Sequence, residues 1–181
     1  FGQPLDLYKK YKINLWRADS IWNHDKQVIS KIKDLGTTKR FEMLPLIDWF
    51  TANDSLTGES GVSYLIRTDD ATILFDLGEN SKDEDPSPLL RNMARLGIKS
   101  DDIDIIVISH DHGDHFNEKS LKKLLELNSQ VTFLTGLKMD ELISKVISKN
   151  ATTITAEWFQ KYNNIKSIDI YFVPSRHYCN K

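Results

Sequence analysis

The stretch most able to do chemistry is His110-Asp111-His112-Gly113-Asp114-His115. Six residues supply three imidazoles and two carboxylates. Neutral imidazole and carboxylate are the donors that suit zinc and its first-row neighbours. His110 and His112 alternate in what reads as an extended segment, so both rings can point the same way. Asp114 and His115 follow Gly113, where the chain can turn sharply, so they can face a second ion close to the first. A fifth histidine, His177, stands 65 residues beyond His112.

These residues need a rigid platform, and the flanking sequence provides one. Ile103 to Ile108 has five apolar residues in six, the pattern of a strand buried on both faces. The cluster starts just past its end, where scaffolds hold functional groups. His177 also lies just beyond an apolar run, Ile168 to Val173. The two strands should bring His110, His112 and His177 together.

Other elements follow from pattern. Lys26 to Leu35 reads as a helix stopped by Gly36, and Lys39 to Ala52 as a strand with irregular flanks. Gly58 to Gly61 marks a turn. Val62 to Arg67 and Thr72 to Phe75 read as strands joined by a hairpin turn at Thr68 to Ala71. Ser87 and Pro88 open a helix as N-cap and first residue, with Leu89, Leu90, Met93 and Leu96 on its apolar side and Gly97 at its end. Asn117 caps a second helix bearing Leu121, Leu124, Leu125 and Leu127. Val131 to Leu134 is a short strand. Met139, Leu142, Ile143, Val146 and Ile147 make a third helix, closed near Asn150. Thr152 to Thr155 is a further strand. This mixture predicts an α/β or α+β class with helices covering sheet. Residues 1–39 read as an N-terminal extension, mostly helical, and 40–181 as the domain.

His110 to His115 matches the H-x-H-x-D-H signature of the metallo-β-lactamase superfamily. Ile73-Leu74-Phe75-Asp76-Leu77-Gly78 resembles that superfamily's early strand ending in Asp-x-Gly. Pro174-Ser175-Arg176-His177-Tyr178 resembles the P-x-x-H-W segment of the branch that includes N-acyl-phosphatidylethanolamine phospholipase D and the ascorbate-6-phosphate lactonases. Tyr178 stands where that branch has Trp. The resemblance spans about residues 60 to 179. It implies a four-layer αββα sandwich and a two-metal site: His110, His112 and His177 on the first ion, Asp114 and His115 on the second. The ions would be zinc, with manganese or iron as alternatives. It implies hydrolysis of a phosphodiester or lactone-type ester by a metal-activated hydroxide, with Asp114 as catalytic orienter. Thioester or β-lactam hydrolysis, or a non-catalytic metal-binding scaffold, are the alternatives. Asp76 is by resemblance a carboxylate behind the ligands, and by sequence alone equally a turn aspartate.

The superfamily adds a later bridging Asp and a later His, and the sequence from 1 to 181 shows neither. We therefore expect the N-terminal portion of the sandwich, its second half supplied elsewhere or by a homo-oligomer. Such a chain would bind at most one ion tightly, turn over poorly, and leave Ile103 to Ile108 and Ile168 to Val173 poorly covered. Phe1 in place of Met suggests a processed form or a piece of a longer protein.

The 181 residues carry 24 basic and 26 acidic side chains, a net charge of −2. That balance lacks the basic face used on nucleic acid, and the family resemblance implies a small-molecule or lipid-like substrate. Lys9-Lys10 and Lys122-Lys123 read as solvated faces. No apolar run approaches the length of a membrane span. The lone Cys179 excludes an intrachain disulfide and reads as an ordinary thiol. The compartment stays open between cytoplasm and mature exported form. Ser109 and Ser175 sit in no nucleophile-elbow pattern. His24 gets no role, and Trp158, Phe159 and Tyr162 read as packing.

Overall fold

The computed structural model describes residues 36–136, 139–146, 152–157 and 160–173, with 8–9, 12–13, 15–17, 19–20 and 23–24 near the N-terminus. The chain divides into two compact units, Phe1–Thr37 and Thr38–Lys181. The described residues of the first unit between 8 and 24 are helical, and Gly36 and Thr37 are not. The helix expected over Lys26 to Leu35 lies outside the described residues, as do His177, Cys179, Ser175, Trp158 and Phe159. No described helix is long and apolar enough to cross a membrane.

The second unit is built on a six-stranded sheet whose order follows the chain. Strands β1 (Glu42–Ile47), β2 (Ser63–Arg67) and β3 (Thr72–Phe75) pair antiparallel. Strands β4 (Ile105–Ile108), β5 (Thr132–Gly136) and β6 (Thr152–Ala156) continue in parallel from β3. Parallel neighbours need crossovers, and each of the three contains a helix. Helix α1 (Pro88–Arg95) lies between β3 and β4, α2 (Glu118–Leu127) between β4 and β5. Helix α3 (Met139–Val146) precedes β6. The class is α/β with a mixed central sheet, as the pattern predicts.

The expected helix starts hold. The Ser87 side chain accepts from Leu90 N, and Pro88 is the first helical residue. Asn117 Oδ1 accepts from Ser120 N at 2.9 Å. Ser87 and Ser120 are both buried, and Ser120 Oγ donates to Ser87 Oγ at 2.7 Å, tying the two helix starts together.

Strand boundaries differ where local chemistry overrides pattern. The long strand expected to Ala52 ends at Ile47, after a bulge between Pro45 and Ile47. Proline has no N–H for a ladder, so this is an edge strand. Ser100–Asp102 forms a 3-10 turn that delays β4 to Ile105. Strand β7 (Lys161–Ile165) is absent from the sequence reading; it pairs with β8 (Ile168–Tyr171) in a separate hairpin. Its turn is Lys166-Ser167, with φ of 50° and 63°. A two-residue loop of type I′ needs positive φ at both positions, and here no Gly or Asn announces it.

The hairpin explains one departure from expectation. Strand β4 is fully buried, not poorly covered. Ile106 and Ile108 belong to the core under the helices, with Leu65, Leu74, Leu89, Met93, Leu121 and Phe133. Ile105 and Val107 belong to a second cluster on the other face, packed by Tyr162, Ile165, Ile168, Ile170 and Phe172. Strand β8 itself stays partly exposed. Tyr162 is packing, as expected: it meets Phe172 edge-on at 5.7 Å, and burial pushes its phenol pKa up to about 12.

Candidate metal centre

The parallel pair β3–β4 ends in Asp76 and Ser109, and these two residues make the floor of the site. Asp76 is completely buried. Its backbone leaves the strand at φ 54°, a left-handed conformation that Asp tolerates better than most residues. That turn is held by Asp76 N to Val107 O at 2.8 Å and by Ser63 Oγ to Asp76 O at 2.8 Å. A buried carboxylate is costly unless its oxygens are satisfied. Ser109 N donates to Oδ1 at 2.7 Å, Ser109 Oγ donates to Oδ2 at 2.7 Å, and His115 Nδ1 meets Oδ2 at 2.7 Å. Asp76 is therefore no free turn aspartate; it lies directly behind the histidine cluster.

Above this floor the imidazoles gather. The His110 ring lies 4.6 Å from that of His112 and 4.2 Å from that of His115, centre to centre. His115 Nε2 stands 3.5 Å from Asp114 Oδ2. The hydrogen bond that His115 donates to Asp76 raises the His115 pKa above its ordinary value; burial opposes it, and the charges of Asp76 and Asp114 act in the same direction as the hydrogen bond. Ser109 Oγ also lies 2.8 Å from His110 Nδ1.

The turn that delivers Asp114 and His115 is not the sharp glycine turn the sequence suggests. His115 N and Phe116 N both bond to His112 O, at 2.9 and 2.7 Å, a helical turn that Gly113 enters without positive φ. The glycine that matters is Gly61. It has φ +77°, and a Cβ there would sit 1.8 Å from Asp114 O. The loop between β1 and β2 thus lies directly on the backbone of a candidate ligand. That loop is stapled at its other end by Asn92 of α1, buried, whose side chain donates to Leu46 O and Thr57 O at 2.8 Å and accepts from Thr57 N at 2.9 Å. Spacing alone marks Gly61 only as a turn residue, and Asn92 carries no signal, because its partners are remote in sequence.

The structure brings together His110, His112, Asp114 and His115, with Asp76 and Ser109 beneath. Among the described residues, no group of three or more His, Cys, Asp or Glu side chains is set to enclose an ion as it stands. The donor chemistry nevertheless fits a divalent ion: clustered imidazoles, one carboxylate beside a ring nitrogen, and a buried carboxylate holding the opposite nitrogen of that ring.

An α/β protein with a histidine- and aspartate-rich loop at the end of a buried parallel strand is the class so defined. Residues 56–117 match the family described as the metallo-β-lactamase superfamily. Over 82 residues the chain is 28% identical to N-acyl-phosphatidylethanolamine-hydrolyzing phospholipase D 1 of Caenorhabditis elegans, covering 42% of this chain and 23% of that protein. Among solved structures it is similar to the metallo-β-lactamase fold protein YhfI of Bacillus subtilis (19% identity, 67% of this chain, 49% of that one, TM-score 0.48). It is also similar to a subclass B3 metallo-β-lactamase from a soil metagenome library (21% identity, 59% and 43%, TM-score 0.45). The chain thus spans about a quarter of the curated relative and about half of these solved chains.

Proposed function

We propose that the protein is a metal-dependent hydrolase whose centre is the His110–His115 loop. The observation that carries this reading is the gathering of three imidazoles and Asp114 over a buried, fully hydrogen-bonded carboxylate. Under this reading His110, His112 and His177 hold one divalent ion, and Asp114 and His115 a second. Zinc suits the donors best, with manganese or iron as alternatives. Bound there, the ions supply Lewis-acid polarisation of a carbonyl or phosphoryl group and lower the pKa of a water ligand.

The chain's own groups do the rest. Asp76 accepts a hydrogen bond from His115 Nδ1 and so fixes that ring's orientation. Asp114 accepts a hydrogen bond from the attacking water and sets its direction. Gly61 keeps the neighbouring loop close against Asp114. The substrate we favour is a phosphodiester, lipid-like in character, because the curated relative is by name a phospholipase D. A lactone-type ester is second.

The test is turnover of bis(p-nitrophenyl) phosphate and of an aryl lactone by zinc-loaded protein, beside His112→Ala. Phosphodiester cleavage that falls at least about a hundredfold in the variant, with loss of bound zinc, is expected. Equal rates in the two proteins would defeat the reading. Turnover of a thioester or β-lactam alone would shift the substrate class, and zinc binding without any turnover would leave a metal-binding scaffold.

A further inference from the structure

We propose that Ser109 is a positioning residue that relays the hold of Asp76 to His110, so that one buried carboxylate sets the tautomers of two candidate ligands. The inference rests on the metal reading above only for its purpose; the relay itself is a matter of proton count.

A hydroxyl has one proton to give. Ser109 Oγ lies between Asp76 Oδ2 at 2.7 Å and His110 Nδ1 at 2.8 Å. A carboxylate oxygen can only accept, so the Ser109 proton goes to Asp76. Were it turned to His110 instead, two oxygen lone pairs would face each other at 2.7 Å with no proton between them. With the hydroxyl proton spent on Asp76, Oγ can only accept from His110, and the proton on a neutral His110 must sit on Nδ1. On the other side, His115 Nδ1 meets the same Oδ2 at 2.7 Å and donates to it. Oδ2 has the two lone pairs this arrangement needs. Both rings then present Nε2 with its lone pair. Ser109 N donating to Oδ1 at 2.7 Å fixes the serine against the carboxylate through the backbone, whatever its side chain.

The consequence is a pair of rings preset for metal, each with Nε2 as donor atom. A histidine free to exchange tautomers spends part of its population with a proton on the ligating nitrogen, and affinity falls by that fraction.

The relay can be read in metal-free protein by long-range proton–nitrogen correlation of labelled histidine, at about pH 9, above the ordinary histidine range. Wild type and Ser109→Thr should show His110 protonated at Nδ1. Ser109→Ala keeps the backbone donor yet should move His110 toward the Nε2-protonated form, leaving His115 unchanged. Zinc affinity, from competition with a chromophoric chelator, should fall about tenfold to a hundredfold in Ser109→Ala and stay within about threefold in Ser109→Thr. Wild-type His110 protonated at Nε2 would overturn the relay, as would an alanine variant with unchanged tautomer and affinity. Expected tautomers in a wild type that takes up no zinc would support the relay and sink the metal reading instead.

Discussion

Two neighbouring parts of the site are built on different terms. The floor is Asp76, completely buried, with its oxygens met by three donors at 2.7 Å and its backbone tied to β4 and β2. The loop from Asp48 to Gly61 touches the same site at Gly61, yet it carries Trp49 at 71% and Phe50 at 90% exposure. Exposed aromatic side chains gain nothing from folding, whereas a buried carboxylate is tolerable only while its partners stay in place. The floor therefore makes the site depend on the fold, and the loop makes contact with the site without its tip depending on the fold.

The sharpest way to break this contrast is to remove the carboxylate. Asp76→Ala strands the Ser109 N–H, the Ser109 hydroxyl and the His115 ring N–H in a buried space. A loss of roughly 3 kcal/mol or more is expected, read from the denaturant midpoint. A loss under about 1 kcal/mol would show that the floor is not what holds the strand ends together. The loop's contact point comes next. Gly61→Ala places a Cβ 1.8 Å from a backbone oxygen at φ +77°. Neither atom is the end of a flexible side chain, so the Asp114 turn must move. We expect a cost of about 2–4 kcal/mol together with weaker zinc binding. Weakened stability with unchanged zinc affinity would separate the loop from the site.

How much of this was legible in the sequence depends on how local the cause is. The Ile105–Ile108 strand, the Ser87 and Asn117 caps and the histidine cluster are written in contiguous residues, and the structure shows each of them. The role of Asp76 is half-legible: the strand end is local, but its partners Ser109 and His115 lie 33 and 39 residues away. The approach of Gly61 to Asp114 and the three hydrogen bonds of Asn92 join positions that no periodicity relates. Strand β7 was missed for another reason. Lys-Tyr-Asn-Asn-Ile has weak strand propensity, and packing of Tyr162 and Ile165 on the sheet decides the matter. Helical cover on one face was readable from amphipathic spacing, but the hairpin cover of Ile105 and Val107 was not.

The smallest expected effect lies at the loop's tip. Trp49→Ala and Phe50→Ala remove two large side chains that are mostly in water. Little buried area is lost, so each should change stability by no more than about 0.5 kcal/mol. The backbone around them is held independently: Glu59 N bonds to Asp48 O at 3.2 Å, and Asn92 grips Leu46 O and both polar atoms of the Thr57 backbone. Gly58 packs close to the Trp49 carbonyl, a backbone contact that neither substitution touches. Thermal unfolding of the two single variants and the double variant is the measurement. A double variant indistinguishable from wild type would confirm that the tip does no folding work. Destabilisation beyond about 1 kcal/mol would mean that Trp49 or Phe50 packs on something in solution, and the division between floor and loop would fail at the tip.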